Sequence, residues 1–328
     1  MGLEALTPVQ QAARNARLLA GVLVSAWLLG GCAGLFPQTA AMRDAPPPDI
    51  PPLVELKDVP FFPQDEYQCG PAALATTLVA SGVKVTPEEL VPQVYLPERK
   101  GSLQVEMLAA ARRHGRISYL LAPKFEDLLK EIAAGNPVIV LWDQSPVGSW
   151  HYAVAIGYDF DAGDLYLRSG ETQREKVAFP VHEFMWRRSG YWAMVALPPE
   201  RIPATAEEGR WLSAIAATER AGGAQAARTA YERFLNRWPR NPAAAIGLAN
   251  ANYSLGQLPA AERALRDAVE WDPQSVIALN NLAQTLADQG KHEEALRFIE
   301  RAIALGGPHA AAVEQTRSSI LAKQKQRQ

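Results

Sequence analysis

The sequence predicts an α+β domain over residues 57–200, followed by an all-α repeat domain over residues 205–325. In the first region, segments with helical spacing of apolar residues come first and short apolar strands follow, which is typical of an α+β domain with a largely antiparallel sheet. In the second region, glycine, alanine and large apolar residues recur at intervals of about 34 positions, which indicates stacked helix pairs. The chain of 328 residues is long enough for both.

The charge balance argues against a nucleic-acid-binding protein. The sequence has 33 Lys and Arg against 35 Asp and Glu, with a formal net charge of −2 and no basic stripe, so we expect no nucleic-acid partner. The cysteines and histidines also lack the spacing of metal ligands. Neither a metal site nor another cofactor is therefore predicted.

Residues 1–31 have the features of a secretory signal. Arg14 and Arg17 precede the apolar run Leu18–Leu29, and small residues then lead to Cys32. This arrangement resembles the lipoprotein box of bacterial lipoproteins, which implies cleavage before Cys32 and lipidation of its thiol and new amino group. A membrane-spanning anchor is the alternative, although the apolar run is shorter than the roughly 20 residues that a spanning helix needs.

Residues 32–56 are predicted to form a lipidated tether. The proline-rich stretch Ala45–Pro52 favours an extended, semi-rigid chain that would hold the folded part away from the membrane. Ala33, rather than an aspartate, follows the lipidation site. By its similarity to lipoproteins of Gram-negative bacteria, this implies an outer-membrane protein that faces the periplasm.

Cys69 is the only cysteine left once Cys32 is lipidated. It lies where a loop turns into a predicted helix, with Pro71 in the first turn and Gly82 as the end signal. A thiol at a helix N-terminus faces unpaired N–H groups and the positive end of the helix dipole, so a thiolate is favoured. A lone thiol outside the cytoplasm suggests a nucleophile. The alternative is a small buried apolar residue.

Further helix and strand signals follow in order. Helices are predicted to start at Thr86, at Ser102 and at Phe125, with Gly115 and Gly135 ending the last two. Strands are predicted for Ile117 to Leu121, Pro137 to Trp142, Tyr152 to Ile156, Asp164 to Arg168 and Tyr191 to Leu197.

One histidine stands out as a candidate base. His151 begins a predicted strand just after a loop, where its side chain can face Cys69 across a cleft. His182 is the second candidate. His114 closes a predicted helix, where an interaction with the helix dipole is the simpler explanation.

Residues 208–309 contain three repeats, 208–241, 242–275 and 276–309, and a polar capping helix is predicted at 310–325. The positions that recur are Gly222, Gly256, Gly290, Ala227, Ala261, Ala295, Tyr231, Leu265 and Ile299. The period resembles the tetratricopeptide repeat, a helix-turn-helix unit. The resemblance implies a concave surface that binds a protein or peptide. A rigid spacer or a dimerisation element is the alternative.

Two motifs carry a second resemblance. Gln64-x4-Cys69-Gly-Pro-Ala-Ala-Leu and His151-Tyr-Ala-Val-Ala-Ile-Gly-Tyr-Asp resemble the papain-like bacteriocin-leader (double-glycine) cysteine peptidases over residues 58–198. The resemblance implies an α+β papain-like cysteine peptidase domain, in which a helix carries the cysteine and an antiparallel sheet carries the histidine. With the repeats and the lipoprotein box, the chain looks like a lipoprotein branch of these peptidases.

The resemblance assigns a role to each matching residue. Cys69 matches the nucleophile and His151 the general base. Gln64 is the nearest match to the glutamine of the oxyanion hole, although the family glutamine usually stands one position earlier, and Gln68 is an alternative. Ser169 stands where the family has an aspartate.

The serine changes the expected chemistry. The third residue of such a triad fixes the imidazole tautomer and stabilises the imidazolium. Ser169 can accept a hydrogen bond but carries no charge, and Glu171 or Asp159 are possible substitutes. We therefore expect a Cys–His dyad rather than a full triad.

Together these features suggest an envelope-anchored cysteine peptidase whose repeats recruit a protein or peptide substrate. The alternative is a catalytically weak or inactive peptide-binding scaffold on the same fold. An acyltransferase or amidase is a third possibility, because papain-like folds host other acyl-enzyme chemistry.

Overall fold

The computed structural model of the chain describes residues 35–63, 68–144 and 149–325. The predicted signal segment, the predicted lipidation site Cys32 and the predicted oxyanion residue Gln64 lie outside these residues. None of the helices in the described ranges is long and apolar enough to span a bilayer.

A largely antiparallel sheet forms the centre of the first domain. Its strands are β1 (Leu53–Glu55), β4 (Ile117–Leu120), β5 (Val138–Asp143), β6 (Trp150–Asp159), β7 (Asp164–Ser169), β8 (Thr172–Ala178) and β9 (Ala193–Leu197). The order across the sheet is β4-β9-β5-β6-β7-β8, and β1 also pairs with β6. A separate hairpin joins β2 (Tyr95–Leu96) to β3 (Gly101–Ser102). The predicted α+β class is confirmed.

Helices cover both faces of the sheet. They are α1 (Pro37–Asp44), α2 (Cys69–Ala80), α3 (Pro87–Val94), α4 (Gln104–Arg113), α5 (Phe125–Ala133) and α6 (Phe179–Arg187). Successive side chains of a strand point to opposite faces, so Ile139 and Leu141 of β5 join the core beneath α2 to α4. Val138, Val140 and Trp142 join the opposite core, with α5 and α6.

Local signals explain most of these elements. Thr86 caps α3 in a capping box with Glu89, as the sequence predicts. The five predicted strands are present as β4, β5, β6, β7 and β9. The predicted helix start at Ser102 is wrong, because Ser102 pairs with Tyr95 in the short hairpin and α4 begins at Gln104.

The tether prediction is wrong for residues 37–44 and 53–55. Residues 37–44 form α1, and its first N–H groups are bound by the fully buried carboxylate of Glu183 in α6. Glu183 accepts from the N–H of Gln38 at 2.9 Å, the N–H of Thr39 at 2.7 Å and Oγ1 of Thr39 at 2.6 Å. Met42 is buried in the core. The partner of α1 is distant in sequence, so local composition gave no sign of this docking.

The strand β1 depends on a glycine in its neighbour. A Cβ atom at Gly157 would lie 2.5 Å from the carbonyl oxygen of Val54. Gly157 therefore permits the close approach of β1 to β6, beside a register shift between Ala155 and Gly157. This pairing fixes residues 53–55 on the sheet.

The second domain consists of helix pairs. Its helices are α7 (Glu208–Arg220), α8 (Ala224–Arg237), α9 (Pro242–Ser254), α10 (Leu258–Trp271), α11 (Val276–Asp288), α12 (His292–Leu305) and α13 (Ala310–Lys325). The recurring glycines adopt positive φ between the helices of each pair, with values of 86°, 72° and 80° for Gly222, Gly256 and Gly290. The recurring alanines are buried, so the paired helices pack closely.

The two domains share a hydrophobic core. Tyr119 of β4 packs edge-on against Trp211 of α7, with ring centroids 5.8 Å apart. The hydroxyl of Tyr119 donates to the Thr205 carbonyl at 3.1 Å and accepts from the Glu207 N–H at 3.3 Å. The buried carboxylate of Glu131 accepts from the N–H and the hydroxyl of Thr205 at 2.7 and 2.6 Å. These contacts fix the first repeat against the sheet.

Candidate active site

A cleft of about 900 Å³ contains the thiol of Cys69 and the imidazole of His151. Cys69 opens α2 and His151 is the second residue of β6, so a helix N-terminus and a strand start meet at this cleft. Further lining comes from the β2–β3 hairpin, Leu103 and Gln104, and from Trp150, which is 54% exposed at the rim. The structure thus brings the two predicted residues together.

The first turn of α2 packs tightly against β3. Cys69 is half-buried, and the following residues Gly70 and Pro71 are buried. A Cβ atom at Gly70 would lie 2.2 Å from Oγ of Ser102, so only glycine permits this packing. The Ser102 hydroxyl is itself buried without a hydrogen-bond partner among the described residues. Sequence analysis missed this donor, because Ser102 was read only as a helix start.

The imidazole of His151 is held by Ser169. Nε2 of His151 lies 3.0 Å from Oγ of Ser169, which ends β7 and is only 5% exposed. With Nε2 engaged, Nδ1 is the ring nitrogen left to exchange a proton. The ring also lies across the strand pair from Trp142, with centroids 6.4 Å apart. Ser169 therefore positions the base at the place where the sequence predicted the third residue.

Burial controls the resting charge of the pair. It raises the pKa of the Cys69 thiol, although the N–H groups of Tyr152, Gly70 and Cys69 partly lower it again. It also lowers the pKa of the His151 imidazole, against a smaller opposite effect of Glu175. At neutral pH the resting pair is therefore a thiol and a neutral imidazole. Burial thus opposes the thiolate that the helix N-terminus is expected to favour.

The two acids that could replace the missing aspartate lie elsewhere. Asp159 is at the opposite end of β6 from His151, where it accepts from the Ala162 N–H. Glu171 is exposed beyond the end of β7. The acid whose negative charge raises the pKa of His151 is Glu175 of β8, and it forms no hydrogen bond with the imidazole. Sequence analysis missed β8, because its polar residues lack the apolar pattern of a strand.

The second candidate base is ruled out by its position. His182 is fully buried, and its Nδ1 accepts from Nε1 of Trp142 at 3.0 Å. Its ring packs against Phe125 and Trp186 at centroid distances of 4.9 and 5.2 Å. This environment lowers the pKa of His182 to about 3, so the ring is neutral. His182 is a core residue.

Cationic side chains border the cleft. Arg99, Lys100 and Arg188 line it, and no Asp or Glu is among its described lining residues. Arg188 is paired with the buried carboxylate of Asp143 at 2.9 Å. Gln68, the alternative oxyanion residue, stands at the N-cap of α2 and its side chain makes no capping bond. Within the described part of the chain, no group of His, Cys, Asp and Glu could hold a metal ion.

In comparisons with known proteins, the two domains match different families. The Peptidase C39 like family matches residues 56–192, and tetratricopeptide repeat families match residues 220–278 and 251–310. No curated protein matches the chain.

Among solved structures, the chain is similar to a C39-like peptidase from Bacillus anthracis, with 20% identity, a TM-score of 0.37, and coverage of 44% of this chain and 97% of that one. It is also similar to a double-glycine-motif protease of an AMS/PCAT transporter in complex with its leader peptide (23% identity, TM-score 0.35, coverage 44% and 93%). A third similar structure is the Sgt2 TPR domain from Aspergillus fumigatus, with 23% identity, a TM-score of 0.34, and coverage of 36% of this chain and 80% of that one. On the family matches, the chain contains a peptidase C39-like domain and, after it, tetratricopeptide repeats.

Proposed function

We propose that this protein is an envelope-anchored cysteine peptidase that hydrolyses peptide bonds through a Cys69–His151 dyad. The observation that carries the proposal is that both side chains line one cleft while Ser169 holds the far nitrogen of the imidazole. The match to the Peptidase C39 like family over residues 56–192 supports the same reaction class. The repeat domain recruits a protein or peptide substrate, in keeping with the usual role of such repeats.

The reaction starts from the neutral pair. As Sγ of Cys69 attacks the carbonyl carbon, its proton moves to Nδ1 of His151. The N–H of Cys69 binds the oxyanion, with Gln64 as the proposed second donor. His151 then protonates the leaving amine as the C–N bond breaks. A water molecule, deprotonated by His151, hydrolyses the thioester and restores the thiol.

Ser169 acts as a positioning residue in this scheme. Its hydroxyl fixes the orientation of the imidazole but adds no negative charge, so the imidazolium formed during attack is stabilised mainly by the more remote Glu175. We therefore expect slower turnover than a peptidase with a buried aspartate would show.

A peptide-binding scaffold without turnover is the second candidate. The observation in its favour is that burial raises the pKa of Cys69 while no carboxylate touches His151 among the described residues. Under this alternative, the cleft and the repeats bind peptides and the thiol remains inert.

Incubation with a peptide library distinguishes the two. We expect the wild-type protein to cut a subset of peptides, detected by mass spectrometry, and the Cys69→Ala variant to cut none. Peptides that bind both proteins and stay intact in both would favour the scaffold. Cleavage that persists in the variant would point to a contaminating protease.

Membrane attachment is part of the proposal. Lipidation at Cys32 would leave only residues 33–36 before α1, so the domain would sit within about 20 Å of the bilayer at an extension of about 3.5 Å per residue. Three exposed apolar side chains lie near the start of α1: Leu35, which precedes the helix, and Val181 and Phe184 of the neighbouring α6. Phe36 packs edge-on against Phe184. We propose an outer-membrane lipoprotein that faces the periplasm. Intact mass analysis should find a lipid-modified Cys32, and an unmodified, uncleaved terminus would contradict it.

A further inference from the structure

A second pocket of about 570 Å³ lies where the peptidase-like domain meets the first repeat. Its walls come from α4, β4 and α7. The polar lining includes Arg112, Ser118, Arg210 and Glu207, and the apolar lining includes Leu108, Leu120 and Ala214. The residues of the catalytic cleft do not line this pocket.

The pocket contains hydrogen-bond donors without acceptors. Oγ of Ser118, in a residue only 2% exposed, has no hydrogen-bond partner among the described residues. The same is true of Nε of Arg112 and Nη1 of Arg210, which are both buried atoms. Buried donors are nearly always satisfied in folded proteins. All three donors belong to residues that line this pocket, so an acceptor bound there would satisfy them once their side chains turn toward it.

The charges around the pocket favour an anion. Arg112 forms no ion pair with any described residue, and burial together with the nearby Arg220 lowers the pKa of its guanidinium. The acid nearest to Arg210 is Glu207, whose carboxylate is 4.0 Å from Nε and largely exposed. A bound anion would offset the positive charge of Arg112, which the nearby Arg220 disfavours.

The remaining wall is apolar. Leu120 lies in β4, the edge strand of the sheet, and is 41% exposed; Leu108 and Ala214 complete this surface. A free inorganic anion would leave this wall uncovered. A ligand that combines a carboxylate with an apolar side chain would satisfy both parts.

We propose that this pocket binds the C-terminal residue of a peptide chain. Its free carboxylate would accept from Arg112, Arg210 and Ser118, since guanidinium groups bind carboxylates through paired hydrogen bonds. Its apolar side chain lies against Leu108 and Leu120.

One face of α4 connects this pocket to the catalytic cleft. Gln104 lines the cleft, whereas Leu108 and Arg112 line the second pocket. These positions follow one another at i, i+4 and i+8, so they share a face over about 12 Å of helix. An extended peptide covers that distance with about four residues. Resting on the proposed peptidase function, the pocket holds the substrate's C-terminus about four residues beyond the substrate residue that lies against Gln104.

Titration calorimetry with defined peptides tests the site without turnover. The full-length protein carries Cys69→Ser, and the probes are acetyl-Ala-Ala-Leu with a free C-terminal carboxylate, the same peptide as its amide, and inorganic phosphate. We expect the acid to bind at least about ten times more tightly than the amide. Equal affinity of acid and amide would overturn the proposal, as would phosphate binding more tightly than the peptide acid.

Substitutions locate the binding. Arg112→Gln and Arg210→Gln should each weaken binding of the acid about tenfold or more, while Ser118→Ala weakens it less. The control is Arg263→Gln in α10, because Arg263 is exposed and forms no bond with another described residue. Thermal melting checks that each variant is folded. Arginine variants that bind like the control would refute the site.

The calorimetry also separates this proposal from the peptidase proposal. If the peptide acid binds as expected but the wild-type protein cleaves nothing, the carboxylate pocket stands and only its link to catalysis fails. If peptides are cleaved but acid and amide bind alike, the peptidase proposal stands without this pocket.

Discussion

Nε2 of His151 lies 3.0 Å from the hydroxyl oxygen of Ser169, at the position where the resemblance to double-glycine peptidases predicts an aspartate. The serine ends β7 and is buried, so the contact is supported by the sheet rather than by a loop. A hydroxyl can fix the orientation of an imidazole as a carboxylate does, but it cannot offset the charge that develops on the ring. Ser169 can therefore position the imidazole, as the third residue of a triad does, but it cannot stabilise the positive charge of the imidazolium.

Paired substitutions at Ser169 measure the two roles. Ser169→Ala removes the hydrogen bond, and we expect the rate of iodoacetamide alkylation of Cys69 at pH 6 to fall by roughly 2- to 10-fold. Ser169→Asp adds a charge that raises the pKa of His151, so we expect the rate at pH 6 to rise at least about tenfold. An aspartate variant no faster than the alanine variant, with both proteins folded, would contradict this interpretation.

Buried His182 makes stability sensitive to acid. Its folded-state pKa is about 3 against an ordinary value of 6.5, so the unfolded chain binds a proton between these values and the folded chain does not. Stability is therefore lost as pH falls below about 6.5. Between pH 7.5 and 5 we expect a loss of about 2 kcal/mol in the free energy of unfolding from this residue.

Urea unfolding of His182→Asn at the two pH values checks this. The asparagine oxygen can still accept from Nε1 of Trp142 but cannot be protonated, so the variant should lose about 2 kcal/mol less than wild type. His309→Asn, at an exposed histidine, is the control and should behave like wild type. Equal losses for His182→Asn and wild type would show that the buried ring does not govern the acid response.

The docking of α1 depends on Glu183. Its carboxylate accepts three hydrogen bonds from Gln38 and Thr39, and Glu183→Gln places an amide N–H₂ against some of these donors. We expect a loss of about 1–3 kcal/mol in stability and faster hydrogen exchange over Pro37–Asp44. Glu171→Gln, at an exposed glutamate, should change neither. Unchanged hydrogen exchange over α1 in the Glu183→Gln variant would mean that other contacts hold this helix in place.

Features with a local or periodic signal were predictable from the sequence. The helix pairs follow from a period that places Gly222, Gly256 and Gly290 at equivalent turns. Cys69 and His151 stand out because each lies at the start of an element, Cys69 as the first residue of α2 and His151 as the second residue of β6. The apolar strands were also predicted, since runs such as Val138–Asp143 are buried on both faces.

Features that depend on distant partners were not predictable in the same way. The α1 helix is capped by Glu183, which follows it by well over a hundred residues, so its own composition suggested only a tether. The thiol pKa depends on how deeply Cys69 is buried as well as on the N–H groups at the start of α2. His182 looked like a base because a single sequence does not reveal the rings of Phe125, Trp142 and Trp186 around it.

The central claim is that His151 activates Cys69, and the most direct test is the alkylation rate of Cys69 by iodoacetamide from pH 5 to 10. Because burial raises the thiol pKa, we expect His151→Ala to react at pH 7 at least about 100 times more slowly than wild type, with the rates converging above pH 9 as the thiol ionises on its own. His309→Ala should match wild type. Identical pH profiles for wild type and His151→Ala would contradict the dyad and leave a peptide-binding scaffold.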